Sequence, residues 1–208
     1  MKDFSLNKLI FFPLIAALPS AMVHAQSDSN FAGAKVGIVA GYDNVTVDLA
    51  GESDSDDGFL YGINASYDFD LGSVIAGIEA EWTDSSTKTT ASDLLLIGDS
   101  GSLTSGRDLY AGVRLGVPIS SDWMVYAKGG YTNAKASLNY NDGAGTLVSG
   151  SDELDGFRVG GGFEYSKGQI FGRVEYRYSD YGEYVFQGIP TGLETSRHHG
   201  AVVGGIRF

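Results

Sequence analysis

The chain has 208 residues, 30 of them Gly, no Cys, and a formal net charge of −12 at pH 7. The length suits one domain. Twenty-six acidic against 14 basic side chains exclude a nucleic-acid partner, because phosphates demand a basic face, and the lack of Cys excludes disulfides, thiolate metal sites and a Cys nucleophile.

The chain opens with a targeting pattern. Lys2 and Lys8 precede an apolar run over residues 9–18, broken only by Pro13. Val23 and Ala25 are small residues at the −3 and −1 positions of a cut. This layout predicts a secretory signal peptide over residues 1–25, with cleavage before Gln26. The apolar run is shorter than the roughly 20 residues a membrane helix needs. Residues 26–208 then form one β-domain, with no linker to divide it.

From residue 34 onward the chain alternates with period two, the strand signal. The first segment is 34–42. Residues 43–58 follow as a long polar connection. Segment 59–69 sets Phe59, Tyr61, Ile63, Ala65 and Tyr67 against Gly62, Asn64, Ser66 and Asp68. After a tight turn, segment 74–83 sets Val74, Ala76, Ile78, Ala80 and Trp82 against Ile75, Gly77, Glu79, Glu81 and Thr83. Residues 84–106 are the second long connection. Segment 108–117 sets Leu109, Ala111, Val113 and Leu115 against Asp108, Tyr110, Gly112 and Arg114.

The second half repeats the scheme. Segment 125–133 carries Lys128 and Thr132 on its polar side, and residues 134–155 are the third long connection. Segment 157–165 opposes Phe157, Val159, Phe163 and Tyr165 to Arg158, Gly160, Gly162 and Glu164. Segment 170–178 opposes Val174, Tyr176 and Tyr178 to Arg173, Glu175 and Arg177. Residues 179–196 form the fourth long connection, and segment 197–208 closes the chain. Short turns and long connections alternate strictly. That pattern predicts an all-β, eight-stranded antiparallel up-and-down barrel, with turns at one end and loops at the other.

A soluble barrel would turn its apolar side inward. Three features place it outward, toward lipid. The aromatic residues sort to strand ends: Tyr42, Phe59, Tyr61, Trp82, Tyr176 and Tyr178 at the loop end, and Tyr67, Phe163 and Tyr165 at the turn end. Two girdles flanking an aliphatic band match a bilayer with two interfaces. The polar face holds Glu79, Glu81, Arg114, Lys128, Arg158, Glu164, Arg173, Glu175 and Arg177, nearly balanced in sign within an acidic chain. Such a set fills a lumen by pairing. Finally, the last strand ends at an aromatic, Phe208.

The runs GFLYGINASYDFDLGSVIAGIEAEW, VYAKGGYTNA, GFRVGGGFEY, GRVEYRYSDYG and GAVVGGIRF resemble the outer-membrane β-barrel domain family. That family includes opacity proteins and small porin-family proteins, and is similar to the OmpA transmembrane barrel. The resemblance implies the outer membrane of Gram-negative bacteria. It makes the terminal Phe208 an assembly signal for the barrel-assembly machinery. The implied surroundings are outer-membrane lipid and lipopolysaccharide, with host or phage surface ligands at the loops. No cofactor is implied.

An eight-stranded barrel is just wide enough to be filled by side chains. The expected role is therefore structural and surface-interacting, with a narrow porin for small solutes or ions as the alternative. An enzyme is not expected. Past the signal segment the only histidines are His198 and His199, which as strand neighbours face opposite sides and cannot share a metal. The acidic run 48–57 fails the EF-hand pattern, since Asp57 stands where Gly is required. A solvated, soluble tip is the expected role there, with weak divalent-ion bridging to lipopolysaccharide as the sharper alternative.

Overall fold

The computed structural model describes residues 29–49, 52–92, 100–141, 147–186 and 189–208. The expected signal peptide lies outside them. Nine strands follow one another: β1 (Gly33–Leu49), β2 (Glu52–Asp70), β3 (Ile75–Ser85), β4 (Lys88–Ser92), β5 (Ser100–Pro118), β6 (Trp123–Asn141), β7 (Leu147–Lys167), β8 (Ile170–Phe186) and β9 (Ile189–Arg207). β3 and β4 both pair with β5 and form one stave broken at 86–87, so the wall has eight staves. Every pairing is antiparallel. Lys35↔Arg207 begins the β1–β9 ladder that joins the first stave to the last.

The tight turns use the conformations their residues permit. Gly72 (φ 90°) and Gly168 (φ 60°) sit in the left-handed region that L side chains avoid. Between β5 and β6, Ser120 Oγ accepts from the Trp123 backbone N–H at 3.1 Å.

The four long polar connections expected from the sequence need correction. Residues 43–49, 52–58, 88–92, 100–106, 134–141, 147–155, 179–186 and 189–196 are strand. The β1–β2 ladder runs to Leu49↔Glu52 and the β6–β7 ladder to Asn141↔Leu147. Hydrophobic alternation needs different surroundings on the two faces. Where both faces meet water the alternation vanishes, but the backbone ladder continues.

The outward face fixes where that change occurs. Ile38 is 71% exposed, Val174 63% and Val113 59%. On β7 the outward residues run Phe157, Val159, Gly161, Phe163, Tyr165, then become Asp155 and Glu153 above Phe157. Nine residues match the 9–11 that a tilted strand needs to cross a hydrocarbon layer. Apart from β3 and β4, which share one stave, the strands are 17–21 residues long, so they project well beyond the apolar band.

The projecting part is not a closed wall. β2 pairs with β3 only as far as Leu60↔Ser85, and no ladder joins β2 to β4 among the described residues. β7 pairs with β8 only as far as Phe157↔Asp180. Above the band the barrel therefore parts into two sheets, β2–β1–β9–β8 and β4–β5–β6–β7, along two seams.

At the turn end residues 29–32 cross the mouth. Phe31 is 2% exposed and packs with Ile75, Met124 and Tyr126. Asn30 Nδ2 donates to Ser121 O at 3.0 Å, and Arg207 donates to the Ser29 and Ala32 carbonyls at 3.1 and 2.9 Å. The Phe31 ring closes this end.

Candidate functional site

The inner wall carries the concentrated chemistry. Glu79, Glu81, Arg114, Lys128, Arg158, Glu164, Arg173, Glu175 and Arg177 all lie inside the barrel and are buried. The structure adds Lys35, Asp43, Asp68, Asp108, Arg197 and His199. Among the described residues, the buried cations are Lys35, Arg114, Lys128, Arg158, Arg173, Arg177 and Arg197. The buried carboxylates are Asp43, Asp68, Glu79, Glu81, Asp108, Glu164 and Glu175. These balance one for one.

The charges form a continuous chain of pairs from one end to the other. Near the turn end, Glu164 gathers Lys35, Arg114 and the Arg173 Nε at 2.9 Å. Asp68 takes the Lys35 ammonium at 2.7 Å and faces Arg114 Nε at 3.4 Å. Glu79 accepts from Lys128 at 2.6 Å and Arg173 at 2.7 Å. Glu175 joins Lys128 at 2.8 Å to Arg177 at 2.7 Å. Arg177 grips both oxygens of Glu81 at 2.6 and 2.8 Å, a bidentate fork that holds the planar guanidinium flat.

The loop-end group continues from there. Arg158 lies 3.5 Å from Glu81 and pairs with Asp108. Asp108 also accepts from Thr132 at 2.6 Å and from Tyr181 at 2.9 Å, with Arg197 at 3.5 Å. Asp43 pairs with Arg197, lies 3.0 Å from His199 Nε2 and accepts from Thr87 at 3.2 Å. Aromatic rings separate the layers. The Arg114 guanidinium lies 4.3 Å from the Tyr126 ring centre, and Lys128 lies 5.1 Å from that of Tyr110.

Glycine makes the close pairing sterically achievable. A Cβ on Gly77 would sit 2.0 Å from Asp68 Oδ1 and 3.0 Å from Arg114 Cγ. Gly77→Val is therefore expected to push Asp68 off Arg114 and to cost about 1–3 kcal/mol as overpacking. The shift in urea midpoint of the barrel folded in lipid vesicles checks this.

The residues absent from the sequence-based set had weak signals. Lys35 sits in the segment of least contrast. Asp43 and Arg197 stand at the edge of stretches read as connections, where inward and outward positions cannot be told apart by hydropathy. Asp108 stood on the polar side of its segment, and its partners come from other staves.

Outside the wall, Tyr42, Phe59, Tyr61, Trp82 and Tyr176 are exposed toward the loop end, with Tyr178 partly so. Phe163 is exposed and Tyr67 and Tyr165 partly so toward the turn end. The rings of Trp123 and Tyr165 lie 5.1 Å apart at the turn end. Phe208 ends the turn-end rim, its N–H donating to Ala34 O at 2.8 Å. His198 points outward, its Nδ1 2.6 Å from the Tyr176 hydroxyl, while His199 faces the lumen. Asp57 accepts from Asn44 Nδ2 at 2.7 Å. The tip of the acidic run, 50–51, lies outside the described residues.

The family model described as "Outer membrane protein beta-barrel domain" matches residues 14–201. The chain belongs to that family. No curated protein matches it. Among solved structures, it is similar to Neisserial surface protein A, with 15% identity, 85% of this chain and 99% of that chain covered, and a TM-score of 0.49. The attachment invasion locus protein of Yersinia pestis gives 16% identity, the same coverages and 0.47. The N-terminal β-barrel domain of Pseudomonas aeruginosa OprF gives 15%, coverages of 85% and 98%, and 0.41.

Membership in an outer-membrane barrel family gives the apolar outer face its solvent. Val113 lies on that face, halfway along the apolar stretch of β5. Val113→Arg is expected to destabilise the folded barrel by about 2–4 kcal/mol, the depth-dependent cost of a cation at the bilayer midplane. Equilibrium urea titration in vesicles measures it. A loss below 0.5 kcal/mol would show that this face meets water.

Proposed function

We propose that this chain is a closed outer-membrane barrel with a structural and surface-interaction role. It is exported by residues 1–25, resides in the cell outer membrane, and is inserted by the barrel-assembly machinery with Phe208 as its signal. Its projecting hairpins are the interacting surface, toward lipopolysaccharide, host or phage ligands. It is not an enzyme. The one lumen histidine among the described residues, His199, is engaged with Asp43 at 3.0 Å.

The observation carrying this reading is the pairing across the lumen. Arg173 with Glu79 and Arg177 with Glu81 bridge β8 to β3 within 2.8 Å, and Glu175 supports Arg177 from the same strand at 2.7 Å. Among the described residues, every buried charge in the bore lies within 4 Å of an opposite charge. The Phe31 ring adds a second closure at the turn end.

Conductance of the mature chain in a planar bilayer tests it, with a gel-mobility difference between boiled and unboiled samples as proof of folding. A folded, electrically silent barrel is the expected result. Discrete and reproducible current steps would replace this reading with the narrow porin.

A further inference from the structure

We propose that a recess in the outer wall at the turn end is a binding site for one phospholipid with a phosphoethanolamine headgroup. An acyl chain fills the recess, Lys167 holds the phosphate and Asp122 holds the ammonium. The proposal rests on the membrane placement of the barrel and does not depend on whether the bore conducts.

Side-chain size along one row of the wall builds the recess. The register sets Trp123 beside Tyr165, Tyr165 beside Gly172, Gly172 beside Gly204, and Gly204 beside Ile38. The two neighbouring glycines leave two strand spacings, about 10 Å, without a side chain. A space of about 200 Å³ opens over Gly172, and its lining includes Trp123, Phe163, Tyr165, Val174 and Val202.

The packing of the wall does not require these glycines. An added Cβ on Gly204 would meet nothing within 4 Å, and one on Gly172 would meet only Val203 O at 4.0 Å. On Gly162 of β7 the same atom would sit 2.0 Å from Val174 O. Neither Gly172 nor Gly204 has a positive φ. Their small size therefore serves the outward side, where it leaves room.

The surroundings select the occupant. The recess is continuous with the exposed apolar wall of Phe163, Val174 and Val202, which in an outer-membrane barrel meets alkyl chains. The Trp123–Tyr165 ring pair marks the membrane–water interface. Just beyond it the rim carries both signs. Lys167, two residues past Tyr165 on the same face of β7, has a side chain 68% exposed, and its Nζ lies 3.9 Å from Asp122 Oδ2. That separation is longer than a hydrogen bond, so each group retains capacity for a ligand charge. Asp122 Oδ1 accepts from Asn30 Nδ2 at 3.1 Å, which leaves Oδ2 facing Lys167.

The other charges of this rim also balance. Arg207 is spent on the carbonyls of Ser29, Ala32 and Gly168, and Phe208 ends in the chain-terminal carboxylate. A rim of both signs matches a zwitterion, with phosphate on Lys167 and ammonium on Asp122. A choline headgroup has the same charges but no N–H to donate to the carboxylate. A glycerol headgroup has no cation for it at all.

The chain has two tryptophans, Trp82 and Trp123, so Trp82→Phe leaves a single reporter inside the recess. This mature chain is folded into phosphatidylcholine vesicles that contain brominated phosphatidylethanolamine, phosphatidylglycerol or phosphatidylcholine. Quenching of Trp123 gives the relative affinity of each lipid. Phosphatidylethanolamine is expected to be favoured about threefold over the other two, the scale of one charged contact at a membrane surface. Asp122→Asn, outside the wall, and Gly172→Leu, which fills the recess, are each expected to bring that ratio to about one. Lys167→Gln is expected to lower it about twofold. Retained boiled–unboiled mobility shifts show that the variants fold. The converse reporter, Trp123→Phe, leaves Trp82 at the loop end and is expected to show no preference.

Equal quenching of Trp123 by the three lipids overturns the site and leaves the membrane placement intact. So does a preference for phosphatidylglycerol, the same ratio at Trp82, or a ratio unchanged in Asp122→Asn. Quenching of Trp82 but not of Trp123 means that a second copy of this chain covers the recess, and also overturns the site. Quenching of neither tryptophan by any brominated lipid overturns the membrane placement itself.

Discussion

Replacing Glu164 with glutamine is expected to cost the folded barrel about 3–5 kcal/mol, the usual penalty for removing one partner from buried charges. Glu164 is the anion on which three cations converge, from β1, β5 and β8. Lys35 keeps Asp68 at 2.7 Å, and Arg173 keeps Glu79 at 2.7 Å. Arg114 keeps only looser contacts, 3.4 Å to Asp68 and 3.9 Å to Glu79. The amide fills the same space, so the loss measures charge and not a cavity. Low dielectric around the site leaves the surplus positive charge poorly solvated. The urea midpoint in vesicles should fall, and the unboiled band should convert to the unfolded mobility at lower temperature. Adding Lys35→Met removes one cation and should recover part of the loss. A Glu164→Gln barrel as stable as the parent would mean that water reaches this layer, and would weaken the case for a closed bore.

How much of this arrangement could be read from the residues depends on the solvent contrast across the wall. Where one face meets lipid and the other the lumen, alternation is sharp. Segments such as 74–83 and 157–165 give both the strand and its inward charges directly. Glu79, Glu81, Arg158 and Glu164 were therefore legible. Above the apolar band the contrast is lost, and the strand continuations of β1, β2, β6 and β7 resemble loops. Asp43 and Arg197 sit at this change of surroundings, which explains why their pairing had no sequence signal. Partners were a second limit. Period two says that Glu164 faces inward, but only the register of all eight staves brings Lys35, Arg114 and Arg173 to it. Phe31 was invisible for another reason: a lone aromatic before the first strand has no periodic context, and its role as a stopper comes from the closure of the mouth around it.

The loop-end layer gives an independent test of the same physics. Asp108→Asn leaves Arg158 and Arg197 facing one carboxylate fewer, with Glu81 3.5 Å from Arg158 and Asp43 beside Arg197. It also weakens the acceptor used by Thr132 and Tyr181. A loss of about 3–5 kcal/mol is expected here as well. Asp108 and Glu164 share no partner, since one is held by Arg158 and Arg197 and the other by Lys35, Arg114 and Arg173. Combined, the two substitutions should add to within about 0.5 kcal/mol if the layers are energetically separate. The connecting pairs, from Arg173 through Glu79, Lys128, Glu175 and Arg177 to Glu81, provide the route for any deviation. Coupling above about 1 kcal/mol would mean that these pairs rearrange together when one end is altered. A bore able to exchange partners along its whole length is what a conducting path requires, so the double-mutant cycle bears on transport without any current being recorded. Additivity favours the fixed, filled lumen, and strong coupling favours the narrow porin.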